Sequence, residues 1–64
     1  MTAEQNAKLA VEMEMLFDRS RTERAKGNTE LAEVYHAQYS GMKKALEILG
    51  YKVEINCNCI WISE

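Results

Sequence analysis

An α+β fold is the class this sequence predicts: an antiparallel helical hairpin followed by a two-stranded antiparallel β-hairpin. Three observations predict it. Two long segments carry apolar residues at helical spacing, a glycine stands just past the end of each, and the tail puts its aliphatic residues on one face only if it turns back on itself. The 64 residues, 1–64, are expected to form one small domain, near the lower limit for independent folding.

The first helix is expected over residues 2–26. Thr2 followed by Gln5 is capping-box spacing, since each side chain can satisfy a main-chain amide that has no partner inside the helix. Leu9, Ala10, Met13, Leu16, Phe17 and Ser20 fall on one face. Basic residues gather near the C-terminal end, where they complement the helix dipole, and Gly27 with Asn28 marks a stop.

The second helix is expected to start with Thr29 as N-cap, with Glu30 and Glu33 in its first turn. Leu31, Val34, Tyr35, Met42, Ala45, Leu46 and Leu49 form its apolar stripe, and Gly50 ends it. Gly41 interrupts this helix, for which a close backbone approach is one explanation, and Gln38 falls inside the stripe, where it would need a hydrogen-bond partner or a wet interface. The short connection makes the two helices pack antiparallel, with Ser20 near Tyr35.

Parity decides the tail. As one strand over 51–63, Val53 and Ile55 would lie on the opposite face from Ile60 and Ile62. Turning at Cys57 and Asn58 pairs Ile55 with Ile60 and Val53 with Ile62, so all four share a face that can cover the helices. Trp61 then points away from them, with Glu54 across the ladder and Cys59 on its own face.

The inventory for chemistry is thin. Cys57 and Cys59 with the single His36 do not complete a four-ligand zinc site in one chain. Only a dimer contributing four thiolates would do so, which makes a dimeric thiolate metal-binding protein a further alternative; no cofactor or metal is expected. A cysteine–histidine nucleophile would require His36 to meet Cys57 or Cys59, and the expected faces oppose this. Glu12, Glu14 and Asp18 read as a solvated helix face. With no Gly-rich phosphate loop and no paired carboxylates, no catalytic residue is assigned and the chain is not read as an enzyme. A net charge of −2 disfavours nucleic acid and anionic membranes as partners. The rival reading is a nucleic-acid-binding accessory protein using Arg19, Arg21, Arg24 and Lys26, against which stand dipole compensation and an Arg19–Glu23 ion pair. No apolar run is long enough to span a bilayer, and the polar start lacks a signal-peptide pattern, so a cytoplasmic location is expected.

Apolar groups are nevertheless left over. Val11 and Met15 lie opposite the face of Met13 and Phe17, and Trp61 points off the sheet. These three are the candidate protein-contact residues. The expectation is a non-catalytic protein-binding module, a regulator or inhibitor that occludes a larger partner. It is expected to act as a homodimer joined through the second strand or the first helix.

Overall fold

Thr2 caps the first helix as its spacing requires: its hydroxyl accepts from Gln5 N at 3.1 Å, and the Gln5 side chain accepts from Thr2 N at 2.8 Å. The computed structural model describes residues 1–57 and 59–64, arranged as α1 (Ala3–Ala25), α2 (Thr29–Ile48), β1 (Lys52–Asn56) and β2 (Cys59–Ser63).

Both helices stop by the same device. Gly27 N–H donates to Arg24 O and Asn28 N–H to Glu23 O; Gly50 N–H donates to Glu47 O and Tyr51 N–H to Leu46 O. This pairing satisfies the last carbonyls and demands a left-handed residue just past the helix. Gly27 (φ 85°) and Gly50 (φ 94°) supply it without a Cβ penalty. The N-cap of α2 is Asn28, not Thr29, and its side chain makes no capping bond. It donates instead to Glu23 Oε2 at 2.8 Å, tying the connection back to α1.

The helices pack as a hairpin, and the sheet lies over them, β2 against α1 and β1 against α2. The register is the one parity requires: Val53 faces Ile62, Glu54 faces Trp61, Ile55 faces Ile60, and Asn56 faces Cys59. Cys57 opens the turn at φ 50°, the left-handed conformation that tight hairpin turns need. Asn58, the other residue expected in this turn, lies outside the described residues.

Met13 is fully enclosed at the centre of the core, with Leu16, Tyr39, Leu46, Ile60 and Ile62 around it. Ser20 is buried, as a small residue where the helices approach must be. Ile55 shares the inner face with its partners but remains 42% exposed, because it sits next to the turn on the open edge of β1.

The core face of α2 is rotated from the expected stripe. Ala32, Tyr35, Tyr39, Met42 and Leu46 face inward, whereas Leu31, Val34, Ala45 and Leu49 are exposed. The apolar arc of this helix is wider than one neighbouring helix and two short strands can cover. Gln38 is exposed as well, so it is not a buried polar group in need of a partner. A Cβ built on Gly41 meets nothing within 4 Å, so no close approach inside the subunit accounts for a glycine that costs about 1 kcal/mol in a helix relative to alanine.

Tyr39 carries one local conflict. Its ring packs against Phe17 at a centroid distance of 5.4 Å, but its hydroxyl is buried with no hydrogen-bond partner among the described residues. Burial, and then the negative charge of Glu47, push its pKa above the ordinary phenol value. Tyr39→Phe removes the orphaned group and keeps the ring. It is expected to stabilise the fold by about 1 kcal/mol, a rise of roughly 4–8 °C in Tm for a domain this small. A fall in Tm in thermal unfolding would show that the hydroxyl has a partner in solution.

Candidate interaction surface

The β2 edge and the N-terminal half of α1 are joined by two long-range bonds. Ile60 N–H donates to Glu14 Oε1 at 2.8 Å, and Asn6 Nδ2 donates to Ile62 O at 2.8 Å. Both main-chain groups point away from β1, on the side where an edge strand offers its unpaired ladder groups. Glu14 is therefore half-buried and structural, not part of a solvated face. Two groups on the outer edge of β2, Ile60 N–H and Ile62 O, are thus taken up by α1 side chains, which leaves this edge less open to a further strand. No described residue caps the corresponding edge of β1.

This anchoring fixes the position of Trp61. Between Ile60 and Ile62, whose side chains enter the core, it points outward and is 63% exposed. Beside it, α1 presents Ala3, Ala7 and Ala10, and together they wall a shallow depression. The alanines fall on one helix face, and their short side chains leave the flank of the indole uncovered. Ala7 also walls the next depression, with Val11, and Val11 walls a third, with Met15. Val11 is 53% exposed and Met15 45%. The three candidates thus border one run of surface, bridged by alanines that sequence reasoning passed over. The spacing of Ala3, Ala7 and Ala10 was the available signal, but it gains meaning only once β2 lies beside them.

Charges rim this run. Lys8 pairs with Glu4 at 3.2 Å, and both side chains are well exposed, so the pair adds little stability. Glu12 and Asp18 stand further along the same helix.

The basic residues do not make one row. At about 100° per residue, Arg21 and Arg24 fall on one flank of α1, and Arg19 and Lys26 on the other. The Arg19 guanidinium lies 5.9 Å from the Tyr35 ring centroid and that of Arg21 lies 6.0 Å from Phe17. The expected Arg19–Glu23 ion pair is absent among the described residues: Glu23 meets Lys26 at 3.8 Å and accepts from Asn28. Cys57 and Cys59 are free thiols exposed at the hairpin tip, and no group of three or more His, Cys, Asp or Glu draws together among the described residues. His36 is exposed, its ring 6.1 Å from that of Tyr39. Among the described residues, no helix is long and apolar enough to cross a membrane.

Comparison with family models, with curated proteins and with solved structures returned no significant match. The functional reading therefore rests on this chain's own residues.

Proposed function

We propose that the chain is a non-catalytic protein-binding module that works as a homodimer. It would regulate or inhibit a larger protein by covering part of its surface. The observation that carries this reading is the continuous apolar run from Trp61 past Ala7 to Val11 and Met15. Large exposed aromatics anchor interfaces because one rigid side chain removes much apolar area from water at small entropic cost. The alanine-walled depression beside the indole offers room for a partner's side chain. Charged residues at the margin suit the polar rim that surrounds such a contact.

The test is retention of a partner from the source cell's extract, followed by titration of that partner. Trp61→Ala is expected to weaken binding by about 2 kcal/mol or more, roughly 30-fold, with far-UV circular dichroism unchanged. Arg19→Ala with Arg24→Ala, basic residues that do not wall these depressions, is expected to leave binding intact. A partner held equally by Trp61→Ala would overturn the reading. A nucleic acid held in a salt-dependent way and lost in the arginine variants would replace it with the accessory-protein reading.

A further inference from the structure

The outward face of α2 is used by neither the core nor the Trp61 surface. Leu31, Val34, Gln38, Gly41, Ala45 and Ile48 recur at three- and four-residue steps, and every one is exposed. Leu31 is 41% exposed, Val34 50% and Ile48 76%. The row lies about 110° round the helix from the inward face of Ala32, Tyr35, Tyr39, Met42 and Leu46. It is a second heptad-like seam on one helix, the pattern that packs against another helix. It shares no residue with the surface around Trp61.

We infer that this seam is the dimer contact, formed by antiparallel packing of α2 against α2 of a second copy. This deepens the homodimer in the reading above by naming its face. Three observations select the second copy and its direction. The row is symmetric about the peptide bond between residues 39 and 40, so a two-fold axis there matches Leu31 with Ile48, Val34 with Ala45, and Gln38 with Gly41 of the second copy. An isologous contact requires a self-complementary patch of this kind. Charge fixes the direction as well. On the flank beside the seam the helix carries Glu30 and Glu33 before residue 40 and Lys44 after it, while Lys43 and Glu47 lie on the far side of the helix. Antiparallel packing brings the acidic half of one helix beside the lysine-bearing half of the other, and parallel packing brings like beside like.

Gly41 is the third observation. Its helix-propensity penalty has no use inside the subunit, where the space above it is empty. In the antiparallel pair, that space receives Gln38 of the second copy at the centre of the contact. One polar residue in an otherwise apolar seam is how such contacts fix their register.

Sedimentation equilibrium over a concentration series tests this. The wild-type chain is expected to show a monomer–dimer equilibrium with a Kd below about 1 mM. Val34→Lys replaces a half-exposed side chain, so the subunit should keep its fold while Kd rises at least about tenfold. Gly41→Ala should raise helicity and also weaken the dimer, because its methyl enters the space used by Gln38. Trp61→Ala should leave the dimer unchanged, which separates this contact from the partner surface. For direction, Cys57 and Cys59 are first replaced by serine. Leu31→Cys with Ile48→Cys should then give an oxidised covalent dimer, and Leu31→Cys alone should not. A wild-type monomer throughout the series, a Val34→Lys variant that associates like wild type, or a covalent dimer of Leu31→Cys alone would each overturn the inference. A monomeric wild type that still retains a partner through Trp61 would remove the dimer and leave the binding module standing.

Discussion

Met13→Ala is expected to lower the unfolding free energy by about 2–5 kcal/mol. Met13 is the largest fully buried side chain, 0% exposed, and touches both the helical hairpin and the inner face of the sheet through the cluster around it. The loss combines the transfer energy of the removed thioether with the cavity it leaves, and a close-packed interior closes such a cavity only in part. A core in a chain this short rarely supplies more than about 3–5 kcal/mol in total, so most of the variant should be unfolded at room temperature. Urea titration followed by far-UV circular dichroism reads this directly. Val11→Ala, two residues away on the same helix but 53% exposed, should change stability by less than about 0.5 kcal/mol. A loss below about 1 kcal/mol in Met13→Ala would mean that the sheet does not close over α1 as described.

The second large effect concerns the strand edge. Asn6→Ala combined with Glu14→Ala removes both side chains that reach the outer side of β2. A hydrogen bond to a carboxylate contributes roughly 1.5–3 kcal/mol and one from a neutral amide about 1, so the double variant is expected to lose about 2.5–4 kcal/mol. The loss should have a local signature in amide hydrogen exchange: the Ile60 amide loses protection in Glu14→Ala alone and keeps it in Glu14→Gln, which retains an acceptor oxygen. Exposing the β2 edge should also promote aggregation. Unchanged protection at Ile60 in Glu14→Ala would show that this bond is not formed in solution.

These two sites differ in how far the sequence disclosed them. Met13 lies on a helical stripe, and local spacing placed it inward. The β-hairpin register was equally legible, because a shift of one residue would have sent Ile60 and Ile62 to the wrong face. From that register followed the outward Trp61 opposite Glu54, now seen in the ladder. Asn6 and Glu14 were not legible, because their partners lie 56 and 46 residues away and nothing in the local pattern of α1 points to them. Glu14 looked like one more solvated acid among Glu12 and Asp18. The face of α2 was misjudged for a different reason. Its apolar residues cover two seams, and periodicity alone joined Leu31, Val34, Ala45 and Leu49 to the true core positions Tyr35, Met42 and Leu46. Ala32 and Tyr39, which the core uses, were left out of the expected stripe. Which seam faces inward depends on where α1 crosses, a property of two elements and not of one.

The two bonds from α1 to the outer side of β2 have a consequence for edge-to-edge growth of sheets. A cross-β fibre requires each subunit to accept a strand on both flanks, so that every addition creates a new acceptor. Here α1 obstructs one flank, and only β1 is uncovered. Should two subunits meet through β1, the resulting four-stranded sheet would end on β2 at either side, and the chain of additions would terminate at its first step.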